Sequence, residues 1–206
     1  AGAVPEAAAL FATHCASCHG VDRLGGTGPA LLPENLGRLK PEAAVEVITK
    51  GRPATQMLGF ADKLSGEEIK ALADFVFKPL AAVPVWGMEQ ISASRVVHVD
   101  PAKIADKPVY DADPLNLFVV VEVGDHHATI LDGDRLEPLK RVPTRYALHG
   151  GPKYSPTGRF VYFASRDGWI SKFDMYGLET LVEVRAGINT RNLAASADGR
   201  YLMAAN

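Results

Sequence analysis

Two spacings of apolar residues divide the chain into an early helical part and a later strand-rich part. The helical spacing is clearest where four apolar residues follow one another at i, i+3, i+4 and i+7, which predicts one face of an amphipathic helix. Ser65 and Glu68 form the capping-box pattern that begins such a helix, and Pro79 ends it. The four face residues are Ile69, Leu72, Ala73 and Val76.

Two further helices are predicted before this one. Residues 6–13 are rich in helix-forming alanine, leucine and glutamate. Pro41 begins a short helix with Val45 and Ile48 on one face, and Gly51 ends it. The first 80 residues are therefore predicted to form an all-α domain.

The pattern changes over residues 81–113, which have no helical periodicity. This segment is predicted to be a linker. From residue 114 onward, short β-rich runs alternate with glycine and aspartate turns. Prolines interrupt or flank the linker at positions 79, 84, 101, 108 and 114.

The strand-rich part contains a repeat. Residues 155–165, beginning Ser-Pro-Thr-Gly-Arg-Phe, match residues 196–206, beginning Ser-Ala-Asp-Gly-Arg-Tyr, at a displacement of 41. A period of roughly 40 to 45 residues with about four strands predicts β-propeller blades, and a solenoid of antiparallel sheets is the alternative. The upstream runs 118–121 and 130–132 match 160–163 and 172–174 at a displacement of 42.

The repeat is too short to close a propeller. Residues 114–206 supply about two blades and the beginning of a third, whereas a closed propeller needs roughly four to eight. An unclosed one would expose sheet edges and apolar faces to water. We therefore expect this chain to be the first part of a longer polypeptide, with domains 1–80 and 114–206 joined by the linker.

Composition and charge argue against two classes of protein, those that bind nucleic acid and those that span a membrane. A net charge of −2 and a pI near 6.3 give no basic excess for nucleic acid, and no apolar run approaches the roughly 18 residues of a membrane span. The start, Ala-Gly-Ala-Val-Pro, has no initiator methionine or apolar signal segment. We take it as the mature end left after signal cleavage, and we expect a periplasmic protein.

The two cysteines of the chain form a Cys-x-x-Cys-His motif at Cys15, Cys18 and His19, the attachment signature of haem c. Two thiols three residues apart reach one porphyrin, and the next residue places an imidazole under the iron. A zinc site formed with His14 is disfavoured because the four ligands are crowded, and a thioredoxin-like motif would follow a strand.

The first domain resembles class I cytochromes c. Residues 27–31, Thr-Gly-Pro-Ala-Leu, resemble the loop whose proline carbonyl accepts the hydrogen bond from the haem histidine, so the resemblance implies that Pro29 orients His19. It also implies a methionine as second axial ligand just before the last helix, which is the place of Met57. The alternatives are a core-filling role for Met57, and Met88 as the ligand.

The whole chain resembles the cytochrome cd1 nitrite reductase family, in which an eight-bladed propeller binds haem d1. Individually weak motifs carry the resemblance through their order and spacing. They are Pro-Val-Trp-Gly-Met at 84–88, Asp-Pro-Leu-Asn-Leu-Phe at 113–118, Leu-Asp-Gly-Asp at 131–134 and Tyr-Ala-Leu-His at 146–149.

The resemblance implies three haem d1 contacts. His149 corresponds to the proximal iron ligand, and Arg166 and Arg191 to arginines around the haem d1 carboxylates, a role that suits a forked guanidinium. The alternatives are a structural histidine near a blade turn and two arginines in surface ion pairs.

Two features depart from the nitrite reductases. Only fourteen residues precede Cys15, where those enzymes commonly have a long N-terminal arm, and the first blade turn contains His126 and His127 where an arginine is expected. The departures favour a resemblance to those members of the family that dehydrogenate dihydro-haem d1. In that reaction a propionate side chain becomes an acrylate, and electrons pass through haem c to a soluble acceptor.

On this reading His126 or His127 is the candidate base, although the base could also lie beyond residue 206. A nitrite reductase and a non-catalytic haem d1 carrier are the alternative functions. Other haem d1 biosynthesis proteins or nitrite reductase are candidate partners.

Overall fold

The computed structural model describes residues 6–82 and 84–206 and separates into two compact units, Ala1–Val85 and Trp86–Asn206. The first is helical, and the second consists mainly of antiparallel sheets. Among the described residues, no helix combines the length and apolarity needed to cross a lipid bilayer.

The described residues of the first unit form four helices, which confirms its all-α class. They are α1 (Ala7–His14), α2 (Ala16–His19), α3 (Pro41–Lys50) and α4 (Gly66–Val76). The predicted apolar face of α4 is buried, and it packs into one core with α1 and α2. Buried members of that core are Leu10, Phe11, Ala16, Leu36, Leu64, Ile69, Leu72 and Val76.

The predicted helix ends are confirmed. Ser65 N donates to Glu68 Oε2 at 2.8 Å and Glu68 N donates to Ser65 Oγ at 3.3 Å, so the capping box is closed in both directions. Pro41 is the first residue of α3, and Gly51 follows its last residue with φ of +75°.

The second unit contains three antiparallel sheets. The first has the order β2-β3-β4, the second β1-β8-β7-β6-β5 and the third β10-β9. The strands of the first sheet are β2 (Leu117–Glu122), β3 (His127–Asp132) and β4 (Pro138–Pro143). The others are β1 (Val96–Val97), β5 (Lys153–Tyr154), β6 (Phe160–Ala164), β7 (Trp169–Asp174), β8 (Glu179–Arg185), β9 (Asn192–Ala195) and β10 (Leu202–Ala205).

The segment predicted as a linker contributes to this second unit. It forms α5 (Met88–Ala93), β1 and a 3₁₀ turn at Pro101–Lys103, and β1 pairs with β8 at the edge of the second sheet. Trp86 Nε1 donates to Arg185 O at 2.9 Å. A helix of six residues spans less than two turns, which is too short to produce a periodic pattern.

The sequence repeat is a structural repeat. Strand β7 lies 42 residues after β3, and the same turn joins β5 to β6 and β9 to β10. In the first copy Gly158 N donates to Ser155 O at 2.9 Å, and in the second Gly199 N donates to Ser196 O at 2.9 Å. Both glycines have positive φ, as this turn requires.

Apolar side chains of successive sheets pack together, which is the propeller-type arrangement that the repeat predicts. The first and second sheets share one core, and the second and third share another. The larger core includes Ala128, Ile130, Val142, Val161, Phe163 and Phe173, and the smaller one Ala164, Ile170 and Leu193.

A buried ion pair ends the second sheet. Asp174 is fully buried and accepts a 2.9 Å hydrogen bond from Arg159 Nε. Replacing Asp174 with alanine leaves the partly buried guanidinium of Arg159 without its carboxylate partner. We therefore expect the free energy of unfolding in urea to fall by about 3 kcal/mol. Replacing Glu122, which forms an exposed pair with Arg141, should lower the free energy of unfolding much less. Equal losses of stability in the Asp174 and Glu122 variants would contradict the prediction.

Candidate functional site

The Cys-x-x-Cys-His motif lies at a helix junction in the first unit. Cys15 follows α1, and His19 is the last residue of α2, its N–H donating to Cys15 O at 3.0 Å. Both thiols are free; Cys15 is half-buried and Cys18 exposed. Burial, and secondarily the neighbouring Cys18, raises the pKa of Cys15 to about 11.

The ring of His19 is held in one orientation. Its Nδ1 lies 2.8 Å from Pro29 O, and because a carbonyl oxygen only accepts, Nδ1 carries the hydrogen and Nε2 the lone pair. A Cβ at Gly28 would lie 2.9 Å from His19 Cε1, so the ring packs directly against that backbone. Burial lowers the pKa of His19, and the Pro29 hydrogen bond offsets only part of this effect. The lowered pKa favours the neutral imidazole.

This donor set fits a covalently attached haem: two thiols on adjoining helical turns, followed by a neutral imidazole with a free Nε2. The thioredoxin-like alternative is wrong, since a helix and not a strand precedes Cys15. Among the described residues, no three His, Cys, Asp or Glu side chains cluster so as to hold a metal ion.

Met57 lies in a tight loop after α3. Gly51 and Leu58 form a β-bridge, and Arg52 N donates to Met57 O at 2.9 Å. Met57 is half-buried, whereas Met88, the first residue of α5, is 73% exposed. The assignment of Met57 as an iron ligand stays a prediction.

In the second unit, His149 repeats the arrangement of His19. Its Nδ1 lies 2.6 Å from Arg191 O, so Nδ1 carries the hydrogen and Nε2 keeps its lone pair. The backbone N–H of His149 donates to Ala164 O at 2.8 Å, which ties the residue to the end of β6. The ring is exposed and lies beside an apolar pocket. The pocket is lined by Val121, Val123, Leu148, Pro152 and Phe163.

The two predicted arginines lie close to His149 in the chain fold. Arg166 begins the turn after β6, and its N–H donates to Ala147 O at 3.2 Å. Arg191 precedes β9 and supplies the carbonyl that accepts from His149. The structure thus brings the three residues implied by the resemblance to one end of the sheets.

The histidine pair lies in the turn between β2 and β3. His126 has φ of +62° at the position that Gly168 occupies, with φ of +92°, in the next repeat. Its ring contacts Tyr146 edge to face at 5.3 Å, and burial lowers its pKa, partly opposed by Asp125. His127 Nδ1 lies 2.9 Å from Asp125 O, which leaves Nε2 as the basic nitrogen.

Residues 144–149 connect the turn that contains His126 to His149. Thr144 N donates to His126 O at 2.7 Å, Tyr146 contacts the His126 ring, and His149 ends the same segment. Residues 144–149 therefore join the histidine turn of the first sheet to the end of the second.

Sequence reasoning missed the polar cluster beside this segment, which consists of Glu183, Arg145, Ser171 and His98. Glu183 is 8% exposed. Burial alone would raise the pKa of Glu183, but hydrogen bonds from Arg145, Ser171 and His98 outweigh it and hold the pKa below its usual value. The available signal was a glutamate two residues from Leu181, on the buried face of a strand.

Both units match known protein families. Residues 112–206 match the family described as Cytochrome D1 heme domain, and residues 2–76 match Cytochrome C oxidase, cbb3-type, subunit III.

Similar proteins cover nearly the whole chain. The chain is 58% identical over 96% of its length to a dihydro-heme d1 dehydrogenase of Pseudomonas aeruginosa, and 27% identical over 91% of its length to a nitrite reductase of Stutzerimonas stutzeri. The solved structure of dihydro-heme d1 dehydrogenase NirN in complex with DHE matches 96% of the chain with a TM-score of 0.87 and 58% identity. The chain spans only 40% and 36% of the two relatives and 42% of the chain in that structure.

Proposed function

We propose that the chain belongs to the family in which a cytochrome c domain precedes a cytochrome D1 haem domain, and that it acts in the dehydrogenation of dihydro-haem d1 to haem d1. The propeller-type domain would bind this substrate, and the first domain would carry haem c. We place the protein in the periplasm.

The observation that carries the proposal is that two histidines make the same kind of hydrogen bond. His19 and His149 lie in different units, and each donates its Nδ1 hydrogen to a backbone carbonyl. Such a bond fixes the tautomer and ring orientation of a metal-ligating histidine. Together with the 58% identity to a dihydro-heme d1 dehydrogenase, this supports iron ligation in both units.

Each domain has a separate task. In the first, Cys15 and Cys18 would hold the haem covalently while His19 and Met57 ligate its iron. Haem c, when bound, would supply a one-electron acceptor, and the two electrons from each substrate molecule would leave to a soluble electron acceptor.

In the second unit, His149 would ligate the substrate iron. Arg166 and Arg191 would pair with the substrate carboxylates, since a guanidinium binds a carboxylate in a two-pronged manner. The apolar pocket beside His149 would exclude water from one face of the macrocycle.

The reaction removes two hydrogens from a propionate side chain, as two protons and two electrons. A base near the carbon next to the carboxylate must accept one proton, and the second must pass to water or to another base; a neutral histidine suits the first step near neutral pH. His126 and His127 are our candidates. The lowered pKa of His126 keeps it neutral, and His127 presents Nε2 as its basic nitrogen.

The test supplies dihydro-haem d1 to the purified protein without oxygen and follows haem c reduction together with the mass of the extracted macrocycle. We expect a loss of two hydrogens and two electrons transferred per substrate. Alanine at His126 or His127 should slow turnover on the order of a hundredfold if that residue is the base.

Two outcomes would contradict the proposal. Rapid conversion of nitrite to nitric oxide with the precursor unchanged would favour the nitrite reductase, to which the chain is only 27% identical. Tight binding of haem d1 without any change in precursor mass would favour a carrier. Full activity of both histidine variants would place the base elsewhere in the protein.

A direct test of haem c ligation replaces Met57 with alanine. We expect the sulfur-to-iron charge-transfer band in the far-red to disappear and the reduction potential to fall, because thioether ligation raises it. Met88→Ala, at an exposed position, serves as the control and should leave both unchanged. An unchanged spectrum in the Met57 variant would remove Met57 from the ligand set.

A stable complex with nitrite reductase or with other haem d1 biosynthesis proteins would explain how a product that is bound through iron reaches its next protein. Such partners are part of the proposal, and co-purification with the haem d1-loaded protein tests them.

A further inference from the structure

The segment that ends at His149 is fastened at several points. Leu148 forms a β-bridge with Ser165, and Ala147 O accepts from Arg166 N. Ala147 has φ of +35°, a conformation that an alanine adopts only where its surroundings impose it. The His149 side chain itself donates a hydrogen bond to Arg191 O. The orientation of the ring therefore depends on where the segment lies.

Arg145 is the side chain that fastens the other end of the segment. Its Nε lies 3.0 Å from Glu183 Oε1 and its Nη2 lies 2.6 Å from Glu183 Oε2, a two-pronged pair. Its guanidinium also stacks on the Trp169 ring at 3.8 Å. A planar guanidinium with a carboxylate at its edge and an indole on its face has little freedom left.

Glu183 is itself held from two other directions. Ser171 Oγ donates to its Oε1 at 2.6 Å from β7, and His98 Nε2 lies 2.9 Å from its Oε2 on the chain that follows β1. With four close polar contacts and 8% exposure, the carboxylate is a fixed point in the second sheet. It is not among the side chains that line the apolar pocket.

We propose that Glu183 and Arg145 form a positioning pair for His149, holding residues 144–149 so that the imidazole meets Arg191 O and presents Nε2 outward. This inference rests on the proposed role of His149 as an iron ligand. The pair acts through the segment and touches neither the substrate nor its iron. Its partners Trp169 and Ser171 lie on β7, so the second sheet sets the orientation of a residue that precedes it.

Besides its backbone hydrogen bonds, the segment is held by two side chains: His149 bonds to Arg191 O, and Arg145 pairs with Glu183. A neutral hydrogen bond from an exposed imidazole contributes little net stability, too little to hold a six-residue segment by itself. A buried two-pronged ion pair loses far more when one partner is removed. Weakening the pair should therefore loosen the segment, although its backbone hydrogen bonds remain, and should let the His149 ring exchange between tautomers and orientations.

The experiment uses Arg145→Lys, which keeps the charge but loses the fork and the stacking, and Glu183→Gln, which keeps the shape but loses the charge. Trp169→Phe retains part of the stacking, so its effects on the His149 tautomer and on haem d1 affinity should lie between those of wild type and Arg145→Lys. Asp174→Asn is the matched control, because it weakens a buried Arg–Asp pair at the opposite end of the strands β6 and β7.

The first readout needs no haem d1. In protein with ¹⁵N-labelled histidine, the ring nitrogens of His149 are assigned by their loss in His149→Ala. We expect wild-type protein and the Asp174→Asn control to show His149 protonated at Nδ1 alone. Arg145→Lys and Glu183→Gln should show a mixture of tautomers.

The second readout is the dissociation constant for haem d1, measured by titration below the unfolding temperature of each variant. We expect Arg145→Lys and Glu183→Gln to bind about tenfold more weakly, a loss typical of residues that orient a metal ligand. Imidazole should also displace His149 from iron at correspondingly lower concentration. The control should bind like wild type even though it is less stable.

Wild-type tautomer populations in both Arg145→Lys and Glu183→Gln would overturn the positioning pair. So would losses of affinity in these variants no larger than in the Asp174→Asn control. Failure of wild-type protein to bind haem d1 would instead overturn the proposed function, and the tautomer measurement would still decide the role of the pair.

Discussion

Replacing His149 with alanine is expected to weaken haem d1 binding by more than about a hundredfold, since loss of a residue that only orients a metal ligand already costs up to that much. The absorption bands of bound haem d1 should shift, because an iron without its imidazole changes axial ligation. The haem c bands should stay unchanged, since His19 lies in the other unit. Titration followed by absorption spectroscopy measures both effects.

Lys153→Ala is a suitable control for this variant. Lys153 lies four residues after His149, and its Nζ donates to Gly150 O at 2.9 Å. Its removal should leave the affinity within about threefold of wild type. A His149→Ala protein that binds haem d1 with the same spectrum and affinity would make His149 a structural residue.

Replacing both Cys15 and Cys18 with alanine is expected to abolish covalent haem attachment altogether. The buried His19 could still ligate a loosely held haem, but no thioether would retain it when the protein is unfolded. Denaturing electrophoresis followed by haem staining should show a band for wild type and none for the double variant. Each single variant should retain haem through one thioether and stain weakly.

Ser17→Ala is the matched control, because Ser17 is exposed and lies between the two cysteines. It should stain like wild type. Haem that stays attached to the double variant after denaturation and extraction would show that these thiols are not the points of attachment.

The parts of the fold that could be predicted depend on local interactions. The turns at Ser155 and Ser196 form from hydrogen bonds within four residues, so the same letters produce the same structure twice. The capping box of α4 and the glycine after α3 are local in the same sense.

The missed features depend on residues far apart in the sequence. His98 and Glu183 are joined across 85 residues, and no spacing rule connects them. His126 also takes a left-handed conformation where the other repeat has a glycine; histidine is enriched among the non-glycine residues that do so, but the conformation is still uncommon and residue type alone does not predict it. Such contacts become visible only when the sheets are assembled.

The candidate site was predicted unevenly for the same reason. Cys15, Cys18 and His19 form a short motif whose chemistry requires that order, and Pro29 follows ten residues after His19 with the expected hydrogen bond. His149, Arg166 and Arg191 were found through a family resemblance, and the structure places them together at one end of the sheets. Their chemical roles stay predictions.

The position of β1 has a consequence for the order in which the second unit folds. Val96 precedes the whole first sheet in the chain, yet it pairs with Glu183 on the outer edge of the second. Strands β2 to β4 pair with immediate neighbours and can form early, whereas β1 must wait until β8 has been laid down and must then close a loop of more than 80 residues. During synthesis, residues 96–98 would therefore leave the ribosome long before their partners, and His98 would join the Glu183 cluster in a late step.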